Sequence, residues 1–336
     1  MIVGGIVRPI FGFAAAFLLA LPLGAQQPAE PIVPPPHVAP FPNLGTGLND
    51  RQVRASLAIG PELQRGESPR DMLAERRKLD AALGALQPQR RGTVDAYVVS
   101  VALDSDPVFS REAREAGAVL TRRYGAAGRS ITLAGPDGRN PSLVKGSLTA
   151  LTVVLTRVAE LMDLSEDVLV LYTTSHGAPD GLVYHYGDTG FGVLSPSRLG
   201  SVLGELGIKR RVVLLSACYS GVFVPFLRSP DTALMTAASA ERTSFGCQAD
   251  NDWTFFGDAL VNNALRKPQP LTAATAEART TIAGWEASSR LEPSQPQIVF
   301  GDAVNGWLAP LETRMPRLAS APVGAPAVNS LARAAR

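Results

Sequence analysis

Two segments of the sequence pair a reactive side chain with the end of an apolar run. Residues 167–174 (DVLVLYTT) end two positions before His176, and residues 211–216 (RVVLLS) end two positions before Cys218. Short runs of this kind, with β-branched residues and little polar alternation, predict strands buried on both faces. If these strands are parallel neighbours, their carboxyl ends place His176 and Cys218 at one edge of the sheet.

Nucleophilic catalysis requires this pairing. A cysteine attacks a carbonyl carbon as thiolate, and a nearby imidazolium or the N-terminus of a following helix lowers the thiol pKa. His176 would protonate the leaving amine, and the backbone N–H groups of Gly177 and Cys218 would bind the oxyanion. Taken singly, Cys218 could be an inert buried hydrophobe and His176 a hydrogen-bonded surface residue. Their shared placement at two strand ends favours catalysis.

The surrounding chain predicts the scaffold that positions these residues. Helices are expected over 71–86, after the Asp106-Pro107 pair, which supplies an N-cap and a first-turn proline, and from Ser142 onward. Alternation of strands with helices gives a mostly parallel sheet with helices on both faces, a three-layer α/β sandwich. The other predicted elements are strands at 95–103, 130–134 and 232–238, a hairpin over 181–194 that turns near Gly187-Asp188, and helices from Ser195-Pro196, near 253–266 and over 271–289.

The two ends of the chain differ from this body. Residues 1–25 combine Arg8 with an apolar run and predict a secretory signal peptide, with an uncleaved membrane anchor as the alternative. Seven prolines between 26 and 42 predict an extended linker over 26–45, in which His37 is expected to be solvated. Residues 313–336, rich in Ala, Pro and Arg, predict a disordered tail. The folded domain is expected over 46–312.

Charge and metal-ligating residues exclude several classes of protein. The formal net charge is +2, but five of the 32 basic residues lie in 1–25 and 313–336, which leaves 26–312 with a net charge of −3. No basic surface for nucleic acid is therefore predicted. Two cysteines and three histidines exclude a disulfide framework and a four-ligand Cys/His zinc site. His185 and Asp188 in the hairpin are too few to predict a metal centre, so no metal or other cofactor is expected.

The motifs at the two strand ends resemble those of the legumain-like cysteine peptidases of the caspase-type clan. In these enzymes an apolar strand leads into His-Gly, as in LVLYTTSHG (169–177), and a later one leads into Ala-Cys-x-Ser-Gly, as in VVLLSACYSG (212–221). The resemblance covers roughly residues 95–265 and includes the order of His before Cys. It extends to bacterial members, in which the segment SQPQIVFGD (294–302) is also similar.

This resemblance implies a caspase-like fold and assigns roles to individual residues. It makes Cys218 the nucleophile and His176 its acid/base partner, with the N–H groups of Gly177 and Cys218 as the oxyanion hole. It also places Asp258 in a pocket for a substrate Asn and suggests Arg111 as the pocket arginine. For each of these two residues a solvated helix surface is the equal alternative.

One departure from the family concerns the pocket. Legumain-like enzymes carry Glu two residues before the nucleophile, where this chain has Ser216, which is therefore a further candidate for substrate binding. Peptidase activity is thus implied more firmly than a preference for Asn.

These features together predict a secreted or periplasmic cysteine endopeptidase that acts on a peptide or protein substrate without a cofactor. Two other functions remain open: acyl transfer to an amine, as in transamidases of the same family, and binding without catalysis. A serine hydrolase is not supported, because Ser220 lies in C-Y-S-G rather than G-x-S-x-G. Cys247 is expected to be dispensable for chemistry. Membrane contact is expected only if the N-terminal segment stays uncleaved, and the oligomeric state is open.

Overall fold

Ten strands and nine α-helices are found in the computed structural model, which describes residues 1, 2, 4, 33–135 and 140–334. The strands are β1 (Glu62–Gln64), β2 (Ala96–Ala102), β3 (Ser130–Leu133), β4 (Val168–Thr174), β5 (Gly177–Ala178), β6 (Gly181–Tyr186), β7 (Gly190–Leu194), β8 (Arg211–Ser216), β9 (Thr232–Thr236) and β10 (Gln297–Phe300). The helices are α1 (Asp50–Ala58), α2 (Pro69–Gly84), α3 (Pro107–Tyr124), α4 (Leu148–Leu161), α5 (Pro196–Glu205), α6 (Val224–Leu227), α7 (Leu271–Ser288), α8 (Val304–Glu312) and α9 (Asn329–Ala334).

The main sheet has six strands in the order β3-β2-β4-β8-β9-β10. The first five are parallel, and β10 pairs with β9 in the antiparallel direction at the edge. The predicted neighbours β4 and β8 lie side by side at the centre, with Thr174 paired to Ser216 at their carboxyl ends. A central position explains why both strands are apolar on both faces.

Alternate residues of these strands point into two separate cores. On one side, Val98, Val170 and Leu214 pack against α3, α7 and α8. On the other side, Val99 and Leu171 pack against α4 and α5. Helices therefore cover both faces, and the predicted three-layer α/β sandwich with a mostly parallel sheet is confirmed.

A second, antiparallel sheet lies beside the carboxyl ends of the first. Its strand order is β1-β7-β6-β5, and β6 and β7 form the predicted hairpin on either side of Gly187-Asp188. The hairpin is joined to the chain just after β2, because the Ser105 N–H donates to the His185 carbonyl and the His185 N–H to the Leu103 carbonyl, both at 2.9 Å.

Two helices differ most from the sequence prediction. The helix expected from Ser142 is α4 and begins at Leu148, because the hydroxyl of Ser147 accepts the Ala150 N–H as N-cap, whereas that of Ser142 donates to Asn140. The helix expected near 253–266 is a π-helix over Gly257–Asn263, followed by a 3₁₀ turn at Ala264–Arg266.

The chain ends bear on three of the predictions. The predicted signal peptide lies almost wholly outside the described residues, as does the linker up to residue 32. Residues 33–45 form no helix, but they contact the body, with the Val38 and Ala39 N–H groups both donating to Asp188. Residues 313–334 are ordered rather than a disordered tail, since they bond to buried groups described below. Within the described residues, no helix has the length and apolar character needed to cross a membrane.

Candidate active site

The central strands bring His176 and Cys218 to the same edge of the sheet. Each residue lies two positions beyond the paired residues Thr174 and Ser216, and the Ser175 N–H extends the ladder by donating to the Ser216 carbonyl at 3.2 Å. The charges of the two side chains affect each other: His176 helps to lower the pKa of Cys218, and Cys218 helps to raise that of His176. The two residues therefore lie at the same edge of the sheet, near enough for their charges to interact.

A tight turn holds Cys218 at the end of β8. Tyr219 has φ +56°, a left-handed conformation that is uncommon for a residue with a side chain. The turn is fixed because the Tyr219 N–H donates to the Arg242 carbonyl at 2.8 Å and the Ser220 hydroxyl to the Ala217 carbonyl at 2.7 Å. A 3₁₀ helix begins at Ser220, two residues after Cys218.

The surroundings of the Cys218 thiol favour its ionised form. The neighbouring Cys247 thiol is the largest cause, burial opposes it, and Ser244 and the charge of His176 add to it, which together lower the pKa of Cys218 to about 6. The Ser244 N–H lies 3.2 Å from the Cys218 sulfur. The pKa of Cys247 is raised, because the nearby Cys218 thiolate favours the protonated form of Cys247 and because Cys247 is buried. Cys247 therefore lies beside the Cys218 thiol, whereas the sequence indicated only that Cys247 is dispensable for the chemistry.

The imidazole of His176 is held by a residue that the sequence analysis assigned to another role. Asp106 occupies the N-cap position of α3, but its carboxylate makes no capping bond and instead lies 3.4 Å from His176 Nε2. Phe109 packs edge-on against the same ring. Burial acts against the imidazolium, yet the Asp106 hydrogen bond and the charges of Asp104, Asp106 and Cys218 outweigh it and raise the pKa of His176.

Gly177 is a glycine because the turn that carries Cys218 leaves no room for a side chain. A Cβ at this position would lie 1.9 Å from the Cys218 carbonyl oxygen and 3.1 Å from the Ala217 Cβ. β5 therefore packs directly on the turn that carries Cys218. The oxyanion role of the Gly177 and Cys218 N–H groups stays a prediction.

Ser216 is buried beneath the turn, where it cannot meet a substrate side chain. Its hydroxyl lies 3.1 Å from that of Thr254, whose N–H donates to the carboxylate of Glu112 at 2.9 Å. Glu112 is fully buried on α3 and also accepts the Tyr172 hydroxyl at 2.7 Å. A carboxylate is thus present behind the nucleophile, but it comes from a helix rather than from the strand.

The side chains of Asp258 and Arg111, predicted to line the pocket, make contacts within the protein. Asp258 is 1 % exposed, and its carboxylate accepts bonds from the side chains of Asn262 and Asn263 and from the Ala327 N–H. Its saturated, buried carboxylate has no accessible face for a substrate Asn, and burial raises its pKa.

Arg111 contacts a loop of the protein. Its guanidinium donates to the carbonyls of Ala249 and Asn251 and lies 3.7 Å from the Asp252 carboxylate. Asp252 in turn accepts the Ala325 N–H at 2.7 Å. Asp258 and Arg111, which the resemblance assigns to substrate recognition, therefore support the C-terminal segment. The sequence could not predict these contacts, because the position of that segment depends on the fold.

His37, expected to be solvated in the linker, contacts the body beside this edge. Its ring stacks on that of His185 with centroids 3.6 Å apart, and its Nε2 lies 3.4 Å from Asp104 Oδ1. His37 Nδ1 is also 4.0 Å from Asp106 Oδ1. Asp188, the other residue considered for a metal pair, is occupied by the N–H groups of Val38 and Ala39.

Comparisons with known proteins agree with the motifs. The model of the Peptidase C13 family matches residues 142–302, a segment that contains both His176 and Cys218. This segment therefore belongs to the peptidase C13 family, a family of legumain-like cysteine peptidases. No curated protein matches the chain. A solved structure described as caspase-1 from Spodoptera frugiperda matches with 14% identity and a TM-score of 0.43, over 64% of this chain and 93% of the caspase chain.

Proposed function

We propose that this protein is a cysteine endopeptidase in which Cys218 is the nucleophile and His176 the general acid and base. The observation that carries the proposal is the meeting of a thiol of lowered pKa and an imidazole of raised pKa at the ends of two adjacent strands. Perturbed pKa values of this kind are typical of catalytic pairs. Membership of a peptidase family over the same segment supports the same reaction.

The chemistry proceeds in two steps. The Cys218 thiolate attacks the peptide carbonyl carbon, and the oxyanion that forms is bound by the N–H groups of Gly177 and Cys218. His176 gives its proton to the amine as the C–N bond breaks, which leaves a thioester on Cys218. Neutral His176 then takes a proton from water, which attacks the thioester and releases the acid and the thiolate. Asp106 orients the imidazole and stabilises its charged form throughout.

The proposed substrate is a peptide or protein outside the cytoplasm, in the periplasm or the medium. The pattern of residues 1–25 supports this location, since a single arginine is followed by an apolar run of signal-peptide length. A preference for Asn is not part of the proposal, because Asp258 and Arg111 are engaged in contacts within the protein.

A peptide-library digestion tests this proposal. We expect Cys218→Ala and His176→Ala each to lower kcat/KM roughly 10⁴-fold or more while the melting temperature stays unchanged. Cys247→Ala is the matched control for loss of a thiol and should retain hydrolysis, with its pH profile shifted to higher pH because Cys218 then ionises nearer its ordinary range. Near-normal turnover by Cys218→Ala would exclude the mechanism. A new amide product in the presence of excess amine would instead identify a transamidase.

A further inference from the structure

The three histidines of the chain gather with two aspartates at one edge of the main sheet. His37, Asp104 and His185 each offer a ligand atom, and these atoms lie within 4.8 Å of one another. A second group of this kind, formed by Asp104, Asp106 and His176, shares Asp104 with the first. The three residues of the first group are 67 and 81 positions apart in sequence, so only the fold brings them together.

Two members of the first group carry polar atoms that the protein leaves unsatisfied. Asp104 is 3 % exposed and His185 9 %, and neither Asp104 Oδ2 nor His185 Nε2 has a hydrogen-bond partner among the described residues. An unpaired buried polar atom is destabilising, so its retention needs a compensating partner. A bound cation would supply that partner to both atoms at once.

We propose that His37, Asp104 and His185 form a binding site for a divalent transition metal of the Zn²⁺ type. Two imidazoles and a carboxylate suit Zn²⁺, which usually takes three protein ligands and a water at sites that are open to solvent. This site contains neither residue of the proposed dyad, although Asp104 also helps to raise the pKa of His176. It differs from the pair of His185 and Asp188 considered from the sequence, because Asp188 binds the backbone of residues 38 and 39.

The backbone around the site divides it into a rigid part and a movable part. Asp104 and His185 are fixed to each other by the backbone bonds that join their strands. His37 lies in the irregular segment at 33–45, with its side chain 20% exposed. Its ring now stacks on His185 and its Nε2 lies 3.0 Å from the Ser105 hydroxyl, so coordination by both imidazoles requires His37 to leave these two contacts. Metal binding would therefore tie residues 33–45 to the edge that carries the catalytic histidine.

The test uses the full chain with both thiols removed, Cys218→Ala/Cys247→Ala, so that no thiolate can bind the metal. We expect one Zn²⁺ per chain by isothermal titration calorimetry, a higher melting temperature with the metal, and a Co²⁺ spectrum without thiolate charge-transfer bands. Adding His37→Ala or His185→Ala should weaken binding at least tenfold. His37→Ala removes a side chain outside the cores, so loss of folding does not confuse its result.

The matched control is His176→Ala, which removes the third histidine and leaves the three proposed ligands in place. We expect its affinity for Zn²⁺ to remain within about twofold of the parent. Binding lost in this variant but kept in His37→Ala would move the site to the dyad and overturn the proposal. So would the lack of stoichiometric binding in the thiol-free parent. Because the readouts are affinity and melting temperature, neither outcome depends on peptidase activity.

Discussion

At the residue scale, the thiol of Cys247 sets the reactivity of Cys218. The proton of Cys247 stabilises the neighbouring thiolate and is the largest cause of the low pKa of Cys218. A thiol with a pKa of about 6 is largely ionised at neutral pH, whereas an ordinary one is not. Cys247 can thus be dispensable for bond making, as the sequence predicts, and still govern the pH at which the enzyme works.

We predict that Cys247→Ala raises the midpoint of Cys218 ionisation by one pH unit or more toward the ordinary value of about 8.5. The midpoint rises because the variant lacks the Cys247 thiol that stabilises the Cys218 thiolate. Alkylation of Cys218 then requires a higher pH. The rate of iodoacetamide labelling of Cys218, followed by mass spectrometry from acid to alkaline pH, measures the midpoint.

Cys247→Ser is the matched control, because a hydroxyl keeps a donor beside the thiolate and should move the midpoint less than alanine does. Identical profiles for the parent and Cys247→Ala would show that Cys247 does not tune Cys218. Labelling of Cys247 in Cys218→Ala should also be slow over the same range, since the burial that helps to raise its pKa remains when Cys218 is removed.

Single residues also mark where sequence reasoning was incomplete. His176 and Cys218 could be predicted because each follows an apolar strand, a local signal. The sequence indicated Asp106 only as the cap of a helix. Its position at the same edge could also have been predicted, because Asp106 follows β2 and β2 ends beside β4. His37 could not be placed, because a proline-rich segment has no periodic pattern and its docking depends on partners more than 60 residues away.

At the element scale, the contact between β5 and the catalytic turn makes a backbone position functional. We predict that Gly177→Ala lowers kcat/KM at least about 100-fold, because a Cβ placed 1.9 Å from the Cys218 carbonyl must push the nucleophile or β5 out of place. The melting temperature should change little compared with this loss of activity, since β5 has only two residues and lies at the edge of its sheet. Peptide hydrolysis and thermal melting of the same sample separate the two effects.

Gly204→Ala provides the comparison for this change. Gly204 lies in α5, and a Cβ there would meet no atom within 4 Å, so alanine should leave activity unchanged and slightly favour the helix. Equal activity in the two variants would show that β5 does not support the site.

How closely the sequence predicts the bounds of a strand or helix depends on what determines those bounds. The central strands are apolar throughout and end at Ser or Thr, so their bounds follow from composition alone; β8 agrees with its prediction residue for residue. The start of α4 depends on which of two serines caps it. The edge strand β10 is short and half-exposed, with no pattern of its own, and it forms by pairing with β9.

At the scale of the whole molecule, the folded unit extends beyond the predicted domain at 46–312. The Trp253 Nε1–H donates to the Val323 carbonyl at 2.8 Å, and the Val323 N–H donates to Asn262 at 2.8 Å. Ala327 is 3 % exposed and belongs to the same core as the main sheet. The composition of this segment predicted disorder because Ala and Pro show no periodicity, but its backbone N–H groups satisfy buried acceptors.

Asp258 links this segment to the body, and its substitution distinguishes a structural role from a role in specificity. We predict that Asp258→Asn lowers the free energy of unfolding by about 1–3 kcal/mol, because an amide nitrogen replaces an oxygen among buried donors. Selectivity in a peptide library should stay unchanged.

Deleting residues 321–336 should also lower stability, whereas deleting only 332–336, beyond the bonds to Val323 and Ala327, should leave it nearly intact. If Asp258 acts through Ala327, Asp258→Asn should cost less in the protein that lacks 321–336 than in the full chain, since the two changes then remove one interaction. Additive costs together with an altered preference for Asn would return Asp258 to the substrate pocket.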